Sequence, residues 1–274
     1  MQQFKRDKKQ NSTKLHLDKY YTPIELAKYC IDKTYKVIGK ENISEVIEPS
    51  AGNGSFSNHI KDCIAYDIEP ESDGIVKQDF LQLEIPYKQG RLIIGNPPFG
   101  RCLNLAQKFF KKSVQIADYV AFILPISQLD NSQSFYEFDL IHSEDLGKQI
   151  YSDREVHCCF NIYKRPKDKL NSKPNYKLKD ITVYEKKRTG NDTFPNNYDF
   201  AICGWGASIG KEINYKGQYA NEKYIVIHNE KYKTQIIDLL KKVNWIEEFK
   251  MTATPNLCQW QVYKYIKEQI PEIE

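Results

Sequence analysis

The segment of this 274-residue chain with the clearest chemistry is Leu92-Ile93-Ile94-Gly95-Asn96-Pro97-Pro98-Phe99-Gly100, an apolar run that ends in a carboxamide, two prolines and an aromatic ring. Prolines fix φ and carry no N–H, so Pro97 and Pro98 make a rigid turn with carbonyls free to accept hydrogen bonds. The Asn96 side-chain carbonyl and the Pro97 main-chain carbonyl can hold both hydrogens of a planar amino group, leaving the nitrogen lone pair directed elsewhere. Phe99 then offers a face on which a flat ring can stack.

Three earlier segments suit a ligand. Val46-Ile47-Glu48-Pro49-Ser50-Ala51-Gly52-Asn53-Gly54-Ser55-Phe56 runs from an apolar strand into a glycine-rich turn, where a backbone without Cβ atoms permits close approach. Its spacing is neither the GxGxxG of dinucleotide enzymes nor a phosphate loop ending in Gly-Lys-Ser, which argues against NAD and ATP. In Ala65-Tyr66-Asp67-Ile68-Glu69 a carboxylate ends the next strand, suited to a ribose diol or simply to a solvated strand end. Asp79-Phe80 offers an acceptor for an adenine amino group and a ring to lie against it, although Asp79 also suits a turn or helix cap.

The elements that must position these residues read as a doubly wound α/β pattern between Val46 and about Lys164. The expected strands are Val46–Glu48, Ile64–Ile68, Ile75–Gln78, Leu92–Gly95, Tyr119–Leu124, a weaker one near Gly147–Tyr151, and Cys158–Tyr163. Pro23–Tyr35, Phe56–Lys61 and Leu103–Ala117 read as helices, the first with proline in its opening turn. In such folds ligands bind at the carboxyl ends of the strands. After Lys164 the texture changes to Lys, Asn and Pro, followed by strands at Ile181–Glu185 and Tyr224–His228 and helices at Glu230–Val243 and Gln259–Gln269. The expected organisation is a flexible basic tail over 1–16, a catalytic domain over 17–165 and a small α+β region over 166–274.

Composition sets outer bounds. With 41% hydrophobic residues the chain can build a core, and 40 Lys and Arg against 36 Asp and Glu give a net charge of +4, which permits an anionic partner without requiring one. Seven cysteines without a CxxC pair or zinc-finger spacing predict neither a disulfide framework nor a metal site. A polar N-terminus and the lack of any run near the ~20 apolar residues of a membrane span predict a soluble, cytoplasmic protein with reduced thiols and no membrane contact.

The order of these motifs resembles the γ-class amino-methyltransferases, whose N6-adenine DNA methyltransferases carry an Asn/Asp-Pro-Pro-Phe/Tyr motif on a Rossmann-like fold. The resemblance covers Tyr20 to about Lys164 and includes Asp18-Lys19-Tyr20-Tyr21-Thr22-Pro23, similar to the family's N-terminal motif. It implies a mostly parallel seven-stranded sheet with helices on both faces, and S-adenosyl-L-methionine as cofactor. Tyr21, Thr22 and Pro23 would then meet the methionine part, and Glu48, Ser50, Ala51 and Gly52 would shape the turn around it. Asp67, with Glu69 as the alternative, would hold the ribose; Asp79 would accept from the adenine amino group, with Phe80 or Ile68 against that ring.

Asn96, Pro97, Pro98 and Phe99 would form the catalytic pocket for a flipped-out adenine, methylated by direct attack of its N6, with Asn96 also among the residues that border the cofactor. Val156-His157-Cys158-Cys159-Phe160 resembles the family's last strand, making Phe160 a candidate for stacking on the target base, or equally a core residue. The implied partner is duplex DNA, as in restriction-modification methylation. The region after 166 is the candidate recognition region, with Lys164, Arg165, Lys167, Lys169, Lys173, Lys177, Lys179, Lys186, Lys187 and Arg188 for phosphates and Tyr176, Tyr184, Trp205 and Tyr219 for bases. Its small size predicts a short recognition site or none, or help from a partner subunit. The piece Cys203–Gly210 reads as a backbone approach site or as a plain loop with a buried Trp205. Rival readings are adenine methylation in RNA, methylation of a glutamine amide, for which Tyr is more typical at the position of Phe99, and a silent nucleic-acid-binding subunit.

Overall fold

The computed structural model describes residues 21–151, 154–186, 195–251 and 255–274. The expected basic tail, Asp18, Lys19 and Tyr20 of the N-terminal motif, and Lys187 and Arg188 lie outside them.

Apolar runs flanked by turns become the parallel strands β1 (Glu45–Glu48), β2 (Ile64–Asp67), β3 (Ile75–Lys77), β4 (Arg91–Gly95) and β5 (Tyr119–Pro125). Helix α1 (Ile24–Ile38) precedes β1, and α2 (Asn104–Ile116) joins β4 to β5. A long hairpin of β6 (Asp139–Tyr151) and β7 (Arg154–Lys164) completes a seven-stranded sheet in the order β3-β2-β1-β4-β5-β7-β6, with β7 antiparallel to both its neighbours. This is the Rossmann-like methyltransferase sheet.

The period-2 alternation of β4 and β5 splits the core between two faces. Ile93, Val120 and Phe122 pack with Ala106, Phe109 and Phe110 of α2. Leu92, Ile94 and Ala121 pack with Ala27, Cys30 and Ile31 of α1. Strands buried on both faces need apolar residues at nearly every position, which is why β4 from Leu92 onward and β5 are continuous apolar runs, while Arg91 at the start of β4 is paired with Glu45.

One expected helix does not form, and one expected strand is longer than expected. Phe56–Lys61 forms no α-helix, only a 3-10 turn over Ser57–His59, because six residues with Ser, Asn and His cannot repay helix nucleation, and the chain then reverses through a left-handed Asp62. The weak strand near Gly147 is the end of the 13-residue β6.

The C-terminal region adds a separate antiparallel sheet in the order β8-β10-β9, from β8 (Ile181–Lys186), β9 (Phe200–Cys203) and β10 (Glu222–Ile227). Helices α3 (Lys233–Lys242), α4 (Trp245–Glu248) and α5 (Gln259–Gln269) cover it around a core of Val183, Ile225, Ile236, Trp245 and Ile266. No helix among the described residues is long and apolar enough to cross a membrane.

Candidate functional site

The strand order reverses between β1 and β4, so the connections leaving their carboxyl ends run to opposite sides and open a crevice there. A cavity of about 390 Å³ lies in it, within the roughly 300–1,000 Å³ typical of small-molecule sites. Its lining includes Tyr21, Thr22, Glu48, Ser50, Ala51, Gly52, Asp67, Ile68, Asp79, Phe80, Asn96, Pro97 and Pro98. Residues 77 apart in sequence, Tyr21 and Pro98, thus meet at one place: parallel strands bring the ends of β1, β2 and β4 together, and the segment before α1 adds Tyr21 and Thr22.

The glycine turn is shaped by backbone geometry. Gly52 and Gly54 have φ of 54° and 82°, where a Cβ is strained, and a Cβ on Gly54 would stand 2.7 Å from the Asn58 amide nitrogen. Two carboxylates hold this turn. The Gly52 N–H donates to Asp67 Oδ2 at 2.7 Å and the Glu69 N–H to Asp67 Oδ1 at 2.8 Å. Glu48, only 2% exposed, accepts from the Ser57 N–H at 2.7 Å and the Phe56 N–H at 3.3 Å.

Burial pushes the Glu48 carboxyl up to about 7, outweighing the N–H groups of Ser57 and Phe56, which pull it down. Because the folded-state value lies above the unfolded one, the stability this group contributes is fully present below about pH 4.3 and is lost as pH rises through about 7, a change of about 4 kcal/mol. Urea unfolding of the native chain and of Glu48→Gln from acid to weakly alkaline pH measures it. The native chain is expected to lose that amount relative to the variant across this window; parallel curves would mean that Glu48 ionises in the ordinary carboxylate range.

Asn96 sits half-buried at the end of β4, and its Nδ2 donates to Thr22 Oγ1 at 3.3 Å. That contact turns the amide so that Oδ1, to which no described residue donates, remains an acceptor. Beyond Phe99 the chain passes through left-handed Cys102 and Leu103, each costing about 1–3 kcal/mol. This path brings the Phe99 carbonyl to the Leu105 N–H at 3.2 Å, closing the first turn of α2.

Asp79 caps the short turn after β3, accepting from the Leu81 N–H at 2.9 Å, and still lines the cavity. Phe80 is buried and stacks on Phe109 with centroids 5.4 Å apart. Ile68 is 43% exposed on the cavity wall, so of the two apolar candidates it presents more free surface.

Three expected residues are not brought to the cavity. Pro23 precedes α1, where its carbonyl accepts from the Ala27 N–H. Phe99 packs, half-buried, against the core on the α1 side. Phe160 is 0% exposed within that core, paired across β7 with Ile123 and Glu144, and in this conformation offers no face to a base. Its apolar strand neighbours account for this placement.

Sequence reasoning passed over Glu71, which accepts from the Tyr21 hydroxyl at 2.6 and 2.7 Å while its own N–H donates to the Gly52 carbonyl at 3.0 Å. The Tyr21 ring lies over Gly52, 3.5 Å from where a Cβ would stand. Leu105 and Phe109 of α2 and Gln78 also line the cavity; only their place in the fold reveals them.

No protein-family model matches the chain, and no curated protein matches it in sequence. Among solved structures, a proposed RNA methyltransferase from Pyrococcus horikoshii is 17% identical, with a TM-score of 0.46 over 54% of this chain and 87% of that one. A proposed class I S-adenosylmethionine-dependent methyltransferase from Listeria monocytogenes is 12% identical, with a TM-score of 0.43 over 56% and 63% of the two chains. The 23S rRNA methyltransferase ErmE is 13% identical, with a TM-score of 0.39 over 56% and 72%. With its sheet order and its antiparallel β7, the chain carries the fold of the class I S-adenosylmethionine-dependent methyltransferases.

Proposed function

We propose that the chain binds S-adenosylmethionine in the crevice between β1 and β4 and transfers its methyl group to the N6 amino group of adenine in nucleic acid, with DNA as the first choice. The observation that carries the reading is the Asn96-Pro97-Pro98 turn on the wall of the cavity, with the Asn96 amide held by Thr22. DNA is preferred to RNA on the motif resemblance.

The residues present fit the cofactor. Asp67 and Glu69 supply carboxylates for a ribose diol, Asp79 an acceptor for an adenine amino group, and Ile68, Phe80 and Leu81 an apolar wall for the ring. The acidic lining of Asp67, Glu69 and Asp79 favours a cation. When bound, S-adenosylmethionine supplies a methyl group made electrophilic by the positive sulfonium.

Conjugation makes the amino nitrogen of adenine a poor nucleophile. Asn96 Oδ1 and the Pro97 carbonyl, as two fixed acceptors, favour the pyramidal nitrogen on which positive charge develops, so they stabilise the transition state more than the ground state. No side-chain base of matched pKa is required, because the proton leaves after attack. A base in a duplex must first leave the stack, at a cost of a few kcal/mol. Transfer of labelled methyl from S-adenosylmethionine to adenine-containing DNA and RNA tests the proposal, and N6-methyladenine is the expected product.

A further inference from the structure

The C-terminal sheet buries a charge that the methyl-transfer reading does not use. Lys223, on β10, is 0% exposed, and its ammonium donates to Glu185 Oε1 at 2.8 Å and to Asn221 Oδ1 at 2.7 Å. Buried lysines require partners, and here one partner is a half-buried amide leading to the surface. Lysine can only donate, so Asn221 must turn its carbonyl inward, which leaves its Nδ2 to donate to Asn256 Oδ1 at 3.3 Å. The same logic passes one step further. With its carbonyl engaged, exposed Asn256 keeps its amide N–H groups, which no described residue accepts, for a ligand. The polarity of the whole chain is thus set by the buried ammonium.

Beside this amide stands Trp205, 53% exposed, which departs from the plain-loop reading with a buried Trp and leaves the indole accessible as the base-contacting reading requires. Its backbone forms an antiparallel bridge with Asn256. Directly opposed residues place their Cβ atoms on the same face, about 4.5–5.5 Å apart. Gly204 permits this arrangement: a Cβ there would stand 2.6 Å from Asn221 Oδ1 and 3.0 Å from Lys223 Nζ. An exposed indole next to N–H donors of fixed orientation matches a flat ring whose edge carries acceptors.

We infer that Trp205 and Asn256, oriented through Asn221 by the buried Lys223, form a binding site for an unpaired nucleobase. The choice of nucleic acid as the source of that ring rests on the proposed function. Guanine, whose N7 and O6 are both acceptors, fits better than adenine, whose N6 donor would oppose the amide.

The test is anisotropy of labelled single-stranded thymidine oligomers with one central guanine or adenine, and of their uridine RNA counterparts, titrated with the full chain without S-adenosylmethionine. The native chain is expected to bind the guanine oligomers more tightly than the adenine ones. Trp205→Ala is expected to weaken binding roughly five- to hundredfold, and Asn256→Asp, which replaces the donor by an acceptor of the same shape, to abolish the guanine preference. A difference between the DNA and RNA series identifies the source. Native affinity in Trp205→Ala, an unchanged preference in Asn256→Asp, or no binding by the native chain would overturn the site. Because no methyl transfer is read, such a failure leaves the crevice reading intact, and binding without transfer elsewhere leaves this site intact.

Discussion

Asn96→Ala is expected to lower methyl transfer by roughly 10²–10³-fold, the loss that follows removal of one fixed hydrogen-bonding partner of a developing charge. Binding of S-adenosylmethionine is expected to stay near the native value, because the side chain is assigned to the target amino group. Its Nδ2 rests on Thr22 and its Oδ1 is the group available to the base. Asn96→Asp keeps an acceptor at the same position and is expected to recover much of the lost activity. Turnover under saturating cofactor, paired with calorimetric cofactor titration, separates the two effects. A fall in cofactor affinity as large as the fall in turnover would move Asn96 to the cofactor side of the site.

Asp67→Ala is expected to have the opposite signature. Each Asp67 oxygen accepts from a backbone N–H, one on the glycine turn and one on the segment leading to Glu71. Truncation leaves the Gly52 N–H without its acceptor and removes the carboxylate assigned to the ribose. An unmade hydrogen bond of this kind costs about 1–3 kcal/mol, so cofactor affinity is expected to fall roughly 10–100-fold. Turnover at saturating cofactor should change far less. Native affinity in this variant would transfer the ribose to Glu69.

What the sequence revealed follows physical lines. Strands β4 from Leu92 onward and β5 are buried on both faces and so had to be written as unbroken apolar runs, which made their positions and the polar residues at their ends readable. Asn96, Asp67 and the glycine turn are close in space because of that topology, and they line the cavity as a set. The first half of β6 was invisible because Asp-Leu-Ile-His-Ser-Glu-Asp-Leu over 139–146 has no period-2 alternation of apolar and polar residues and is held by pairing to β7, a long-range contact without a local signal. Strand β9 was missed for a different reason: Phe200–Cys203 is apolar throughout, but a run of four residues is too short to be told from a loop.

Side-chain direction was the other blind spot. Phe160 lies on a strand recognisable from its apolar residues, yet which way a residue faces depends on register, and its register turns it into the core on the α1 side. Trp205 shows the reverse. Large apolar residues are usually covered, but the turn at Gly204 and the bridge to Asn256 hold the indole at the surface. The Tyr21–Glu71 hydrogen bonds join residues 50 apart, and Glu71, unlike Tyr21 of the N-terminal motif, belongs to no recognisable pattern.

The central claim is methyl transfer to adenine N6, and the measurement closest to it is incubation of the full chain with labelled S-adenosylmethionine and duplex DNA, single-stranded DNA or total RNA, followed by mass spectrometry of the nucleosides. Label in N6-methyladenine from DNA is the predicted result, and it should vanish with Asn96→Ala. Label confined to RNA would contradict the choice of DNA; no labelled nucleoside from any of the three, with cofactor binding intact, would contradict the claim itself.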